Sequence, residues 1–247
     1  MFICTLNFKK HRFSISVIAV SILLIASLFI SSLVVTEIFG EEMFIQASTE
    51  INNSKIVIVD AGHGGEDGGA SGVNGVLEKD LNLQMALEIG ARFEEAGYAV
   101  VYTRTDDRLL YREEENVKGI RKISDLKNRC KIAEMYPDSV FVSVHMNSFG
   151  DSKYSGLQVY YSTKNEESET IARGIQERVK SDVQNENNRK VKKGDGIYIL
   201  ENVSNPAVLV ECGFLTNSEE CKKLSEKEYQ KQLSFSIVCG IINNIEN

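Results

Sequence analysis

The sequence contains no tryptophan, only two prolines and only three histidines among its 247 residues. Its five cysteines include no CxxC or CxxxC pair, so a zinc site built from thiolates is not expected. The net charge of −7 leaves no excess of basic residues for a nucleic-acid partner, and we expect none. With 43% hydrophobic and 26% charged residues, the composition is that of an ordinary globular protein with a sizeable core.

One long hydrophobic run lies near the N-terminus. The uncharged segment from Phe13 to Val35 follows Lys9, Lys10 and Arg12. A secretory signal has an apolar core of about 7–15 residues, whereas a membrane helix needs roughly 20, and this run is long enough for both. Residues 1–47 are therefore predicted to comprise a cleaved signal peptide or an uncleaved membrane anchor together with a linker. Basic residues before the run predict export of the rest of the chain, either membrane-anchored or secreted.

The remaining residues, 48–247, are predicted to form one α/β domain. Short β-branched runs alternate with amphipathic segments, which favours a mixed, mostly parallel sheet covered by helices on both faces. Ser124 is the predicted N-cap of the second helix. The predicted strands are 55–60, 98–103, 139–145, 157–161, 196–200 and 207–211, and the predicted helices are 78–96, 124–136, 166–183 and 226–245.

A long charged connection separates the second strand from the second helix. It runs over residues 104–123. Connections longer than about 12–15 residues are usually functional loops or disordered segments. We interpret this one as a mobile flap beside the functional site, with a solvated insertion as the alternative.

The two histidines of the domain both follow buried strands. His63 lies in a glycine-rich turn, and His145 ends the third strand. Because α/β sheets bind ligands at the carboxyl ends of their strands, these imidazoles are predicted to converge there. A single strand-end histidine is more often a hydrogen-bonded structural residue, but two together favour a metal site.

Two glutamates complete the predicted site. Glu78 begins the first helix and is the candidate third ligand, although a carboxylate there also stabilises the helix dipole. Two histidines and one glutamate leave one position of a tetrahedral zinc ion open for water, as in catalytic sites. Glu211 interrupts an apolar strand, and a partly desolvated carboxylate there has the raised pKa that a general base needs. The alternative for Glu211 is a solvent-exposed residue at the strand end.

Six stretches in this order resemble the zinc-dependent N-acetylmuramoyl-L-alanine amidases of bacterial cell walls, the amidase type 3 family. The likeness covers about residues 55–245. Its carriers are Asp-Ala-Gly-His-Gly-Gly at 60–65, Glu-Lys-Asp at 78–80, Thr-Arg-Thr-Asp at 103–106, Arg129, Ser-Val-His-Met-Asn at 143–147 and Val-Glu-Cys-Gly-Phe-Leu-Thr-Asn at 210–217. Within the family, the stretches 121–129, 188–190 and 196–203 are similar to the germination-specific, sporulation subgroup often called CwlD.

The resemblance implies a six-stranded sheet, Zn²⁺ held by His63, Glu78 and His145, and Glu211 as the catalytic base. It implies hydrolysis of the amide between N-acetylmuramic acid and L-alanine in peptidoglycan, whose glycan strands and stem peptides would be the partners. In the subgroup this reaction is a step toward muramic-δ-lactam in the spore cortex, which places the enzyme in the cell envelope or the spore intermembrane space. Asn147 and Arg129 are the predicted substrate contacts.

Two alternatives remain open at this point. One is a zinc peptidase of similar fold that cuts peptide bonds. The other is a peptidoglycan-binding module that is non-catalytic, or active only with an activating protein partner. Metal content and the products of peptidoglycan digestion distinguish these alternatives from the amidase.

Overall fold

The computed structural model describes residues 55–73, 75–111, 113–117 and 119–245. The predicted signal or anchor at 1–47 lies outside these residues. Among the residues described, no helix is both long enough and apolar enough to cross a membrane.

The fold is a six-stranded mixed sheet with helices on both faces, as predicted. In order along the sheet the strands are β2, β1, β3, β6, β4 and β5. The first four run parallel, β4 is antiparallel to β6, and β5 is parallel to β4. The strands are β1 (Ile56–Ala61), β2 (Ala99–Tyr102), β3 (Val140–Asn147), β4 (Gln158–Tyr161), β5 (Lys192–Lys193) and β6 (Ala207–Phe214).

In the part of the chain that the structure describes, six α-helices and one short 3₁₀ helix, Glu113–Glu115, lie between or after the strands. The first helix shows why they form: Leu81, Met85, Ile89 and Phe93 recur at helical spacing and are fully buried against the sheet. The α-helices are α1 (Glu78–Glu95), α2 (Arg121–Met135), α3 (Glu167–Asp182), α4 (Tyr198–Asn202), α5 (Ser218–Leu224) and α6 (Lys227–Ile245).

The alternation of side chains along the strands divides the interior into two cores. Val142 and Val144 of β3 face the larger core with α1, α3 and α6, whereas Phe141 faces the smaller core beneath α2 and α4. With a period of two, Ser143 and His145 continue the Phe141 face, and Glu211 continues the face of Leu209 on β6. The alternation therefore brings His145 and Glu211 to the same face and the same end of the sheet.

Four local expectations differ from the structure. Residues 196–200, predicted as a strand, include the start of helix α4, whose Ile199 and Leu200 are buried together. Helix α2 begins at Arg121, so Ser124 lies inside it and is not the N-cap; its hydroxyl donates to Glu115 instead. The short elements β5 and α5 were not predicted.

The segment after β2 lies beside the predicted site and is fixed at several points. Arg104 is almost fully buried, and Asp107 accepts hydrogen bonds from the Gly65 amide and the Lys79 ammonium. Near its other end the Leu110 amide donates to Asp125 of α2. These anchors restrict where a flap could open, and a flap role for residues 104–123 stays a prediction.

Candidate active site

The turn after β1 holds His63 in a left-handed backbone conformation. Its φ of 60° is the only positive φ of a non-glycine residue among those described, and Gly64 and Gly65 follow with φ of 141° and 54°. Such a conformation costs about 1–3 kcal/mol and occurs mainly at functional sites. The glycines let the backbone reverse here, so the imidazole stands at the carboxyl end of the sheet.

Three buried side chains hold the carbonyl groups of this turn. Arg104 donates to the oxygens of Ala61 and Gly62 at 2.9 and 3.0 Å. Arg129 donates to those of Ala61 and His63 at 2.7 and 2.8 Å, and Asn82 adds a bond to Gly62 at 3.1 Å. These bonds stabilise the strained conformation of His63.

Arg129 is itself the centre of a buried ionic cluster. It contacts the carboxylates of Asp60 and Asp125, and Asp60 also accepts from Ser143 and Thr103. Burial raises the pKa of Asp60, but the Arg129 charge and the two hydroxyl hydrogen bonds outweigh it and leave the pKa below its usual value. All five N–H groups of Arg129 are engaged. This arrangement favours a positioning role for Arg129 in place of the predicted substrate contact.

His145 and Glu78 lie next to His63. Nε2 of His63 is 3.2 Å, and Nδ1 of His145 2.9 Å, from the same Glu78 oxygen, Oε1. The opposite edge of the His145 ring packs on Gly62, where any Cβ would overlap Nε2. The absence of a side chain at Gly62 thus leaves room for the His145 ring in the orientation that turns Nδ1 toward Glu78.

These three residues form a donor set that fits a metal ion. One ligand atom from each lies within 4.8 Å of the others. Burial raises the pKa of Glu78, but the hydrogen bonds and charges of His145 and His63 lower it by more. The pKa is therefore below its usual value, and the carboxylate is ionised. Two imidazole nitrogens and one carboxylate oxygen match the protein ligands of catalytic zinc sites. The three predicted ligands are therefore brought together from β1, α1 and β3.

A carboxylate that the sequence did not single out lies behind His63. Oδ2 of Asp67 is 3.0 Å from Nδ1 of His63 and 3.1 Å from the Lys122 ammonium. Backbone hydrogen bonds between Asp67 and Gly64 close the loop that carries it. The signal available in the sequence was the acidic residue four positions after the histidine.

Glu211 lies beside the predicted ligands. It pairs with His145 in the register of β6 and β3, which brings these two residues within one strand spacing. Its Oε2 is buried and has no hydrogen-bond partner among the described residues. Burial raises the pKa of Glu211 to about 7, although the charge of His145 acts to lower it. An unpaired carboxylate with this pKa can take up and release a proton near neutral pH.

Asn147 ends β3 two residues after His145. The register between β3 and β6 shifts here, and the Asn147 carbonyl accepts from the Leu215 amide at 2.8 Å. The backbone of Asn147 therefore joins the ends of both strands that carry site residues. Its predicted contact with substrate stays a prediction.

Comparison with known proteins agrees with this geometry. A family model described as N-acetylmuramoyl-L-alanine amidase matches residues 57–243. The germination-specific N-acetylmuramoyl-L-alanine amidase of Bacillus subtilis (strain 168) is 37% identical over 190 residues, which cover 77% of this chain and 79% of the relative.

Solved structures give the same match. The CwlD amidase from Clostridioides difficile, determined in complex with the GerS lipoprotein, is 40% identical with a TM-score of 0.75 and covers 78% of this chain and 99% of its own. An N-acetylmuramoyl-L-alanine amidase from Clostridium difficile 630 is 30% identical with a TM-score of 0.69 and covers 79% and 98%.

Proposed function

The chain belongs to the N-acetylmuramoyl-L-alanine amidase family and is a peptidoglycan amidase, and from this premise we propose that it is a zinc enzyme of the spore cortex. Its reaction is hydrolysis of the amide that joins N-acetylmuramic acid to the L-alanine of a stem peptide. The observation that carries the zinc assignment is the convergence of His63, Glu78 and His145.

His63, Glu78 and His145 would hold the ion, which when bound lowers the pKa of a water molecule and polarises the scissile carbonyl. The protein prepares these ligands in advance. Glu78 is ionised, Gly62 leaves room for the His145 ring, and Asp67 contacts Nδ1 of His63. Because the three ligand atoms already lie within 4.8 Å of one another, little rearrangement is needed on binding.

Glu211 is the general base in this proposal. Its unpaired Oε2 accepts a proton from the attacking water and returns it to the nitrogen of the departing L-alanine. The raised pKa of about 7 supports both transfers, because the carboxylate is neither too weak to accept the proton nor too strong to return it. Glu211→Gln is expected to bind zinc as the unchanged protein does and to lose hydrolysis.

Digestion of purified cortex and vegetative peptidoglycan with the full chain tests the reaction. Mass analysis should find intact stem peptides that begin with L-alanine, and a chelator or Glu211→Gln should abolish them. Free amino acids or dipeptides would instead support a zinc peptidase of similar fold. Near-native turnover by Glu211→Gln would refute the assignment of the base.

The cortex assignment is supported by the likeness to the two germination-specific and CwlD proteins. Deletion of the gene in a spore-forming host should leave cortex peptidoglycan without muramic-δ-lactam while vegetative wall composition is unchanged. Normal lactam content in the deletion strain would contradict the assignment.

Export and a protein partner complete the proposal. The basic residues and apolar run before residue 36 support export, and the CwlD relative was solved with a lipoprotein, which supports an activating partner on the outer surface of the membrane. Protease added to intact protoplasts should degrade the chain if it is exported. The partner is tested by affinity purification of the chain from sporulating cells. The specific activity of the material that co-purifies with a partner should exceed that of the purified chain alone.

A further inference from the structure

The reversed direction of β4 brings two additional loops to the catalytic edge of the sheet. Because β4 is antiparallel to β6, its first residue, Gln158, pairs with Glu211 near the end of β6. The loop before β4 and the loop before β5 therefore open beside the catalytic residue. These loops carry Tyr154 and Arg189.

His145, Glu211 and Gln158 form a row across three neighbouring strands. Gln158 is buried, and its Oε1 accepts from Nη1 of Arg189 at 3.2 Å. Gln158 is one strand spacing, about 5 Å, from Glu211, and its side chain spans roughly the same distance to the guanidinium of Arg189. The guanidinium therefore lies on the order of 10 Å from Glu211. Gln158 thus lies between the catalytic carboxylate and the guanidinium of Arg189.

The guanidinium is held rigidly. Nε of Arg189 donates to the Ser155 carbonyl at 2.7 Å, and the group lies 4.3 Å from the centre of the Phe214 ring and 5.8 Å from that of Tyr154. Among the described residues Arg189 forms no ion pair, and two of its five N–H groups are used. The remaining N–H groups form a fixed, unpaired fork, the geometry that binds carboxylates through two hydrogen bonds.

A groove of about 630 Å³ opens at this fork, between the loop before β4, the loop after α3 and helix α5. Glu220 on its wall is not available to a ligand, because its oxygens accept from the Gly156 and Phe214 amides. The exposed carboxylates of Glu186 and Glu219 and the ammonium groups of Lys153 and Lys223 also line it, so the overall charge is mixed. Arg189 differs from the two lysines because hydrogen bonds to Ser155 and Gln158 hold its guanidinium in place.

The chemistry of the substrate decides which part of it reaches the fork. On the glycan side of the scissile amide the carboxyl of muramic acid is consumed in the bond, whereas a stem peptide carries free carboxylates. An extended peptide advances about 3.3–3.6 Å per residue, so 10 Å corresponds to the second or third stem residue.

We propose that the groove at Arg189 is the stem-peptide subsite and that Arg189 selects a stem peptide with a free carboxylate at its second or third residue. The inference rests on the proposed amidase function for the identity of the ligand. The groove lies outside the His63, Glu78 and His145 cluster, so peptide binding can be measured without catalysis.

The test uses two pairs of tripeptides. In the first pair the carboxylate of the second residue is free in one peptide and amidated in the other, and in the second pair the same difference is at the third residue. Calorimetric titration into the metal-free full chain should show about tenfold tighter binding of the free carboxylate in one pair, the scale expected for a charge-assisted fork contact. Arg189→Met should lose this preference and Arg189→Lys should retain only part of it. Lys231→Gln removes one charge from the exposed face of α6 and should keep the preference in full.

Because the result is a ratio of two affinities in one variant, partial destabilisation by Arg189→Met does not imitate it. Equal or undetectable binding in both pairs, or a preference that survives in Arg189→Met, would overturn the proposal. In hydrolysis assays, Arg189→Met should raise KM for the carboxylate substrate with kcat unchanged. A preserved preference together with no release of stem peptides from peptidoglycan would refute the amidase function and leave the subsite standing.

Discussion

At the scale of single residues, Asp67 is expected to strengthen binding of the predicted metal through His63. Its carboxylate lies 3.0 Å from Nδ1 of His63, so it favours a proton on Nδ1 and leaves the Nε2 lone pair for an ion. Asp67→Ala should weaken zinc binding about 10- to 100-fold, the usual effect of removing a carboxylate behind a ligating histidine. Competition with a chromogenic chelator measures this affinity.

A nearby carboxylate provides the control for Asp67. Asp106 is exposed, and among the described residues its side chain pairs only with Arg108, so Asp106→Ala removes the same charge without touching His63. Its zinc affinity should equal that of the unchanged protein. If the zinc affinity of Asp67→Ala lies within twofold of that value, the hydrogen bonds from Arg104, Arg129 and Asn82 to the turn orient His63 without help from Asp67.

The raised pKa of Glu211 is expected to make the stability of the metal-free protein depend on pH. Burial raises its pKa from 4.5 to about 7, so the folded state binds the proton more tightly than the unfolded state. Its contribution is fully present below pH 4.5 and is lost as the pH rises through about 7. At 1.36 kcal/mol per pKa unit, the loss is about 3 kcal/mol as an upper bound, because the side chain is partly exposed.

Glu211→Gln should remove this contribution. Urea unfolding at pH 5 and pH 8 measures the change, and the unchanged protein should lose more free energy of unfolding between the two values than the variant does. All other titrating groups are shared, so the difference isolates Glu211. Parallel pH dependence in both proteins would mean that solvent reaches the carboxylate and that its pKa is normal.

At the scale of elements, the contact between the turn after β1 and the end of β3 is set by Gly62. A Cβ at this position would overlap the His145 ring, so Gly62→Ala must displace the imidazole. We expect zinc affinity to fall at least about tenfold and stability to fall by about 1–3 kcal/mol through overpacking. Chelator competition and urea unfolding measure the two effects.

Gly150→Ala is the matched change for this test. Its Cβ would meet nothing within 4 Å, and its φ lies outside the left-handed region. It should leave both quantities unchanged. If Gly62→Ala behaves in the same way, the turn and His145 are free to move apart, and the close packing is not what positions the ring.

The helices and strands also show which elements can be predicted from the apolar pattern of the sequence. Helix α1 was predicted within a few residues because its apolar periodicity is long and one-sided. Strands β1, β3 and β6 were predicted because each is a nearly continuous apolar run that is buried on both faces of the sheet. Residues 196–200 were wrongly predicted as a strand, since a short apolar run does not distinguish a buried strand from one helical turn. Strand β5 has two lysines and no periodicity at all.

Helix α5 was missed although a signal for it existed. Asn217 accepts hydrogen bonds from the amides of Glu219 and Glu220, and this capping pattern is readable from the sequence. The three candidate ligands and Glu211 were predictable because each lies at or just after the end of a strand or begins a helix. The buried roles of Arg104 and Arg129 were not, because their partners are mainly backbone carbonyls and carboxylates far apart in sequence.

At the scale of the whole molecule, the predicted metal would link parts of the chain that are distant in sequence. His63 belongs to the turn after β1, Glu78 to α1 and His145 to β3. An ion that binds only the folded arrangement stabilises all three elements together. Binding energy at the site is therefore also folding energy for the domain.

Zinc should accordingly raise the melting temperature of the full chain. At a free zinc concentration 100 times Kd, the stabilisation is about 2.7 kcal/mol, and for a domain of this size that corresponds to roughly 5–10 °C. Differential scanning calorimetry with zinc and with chelator measures the shift. Glu211→Gln keeps every ligand and should show the full shift, whereas His63→Ala should show almost none. A shift of equal size in His63→Ala would place the stabilising ion somewhere other than at these three residues.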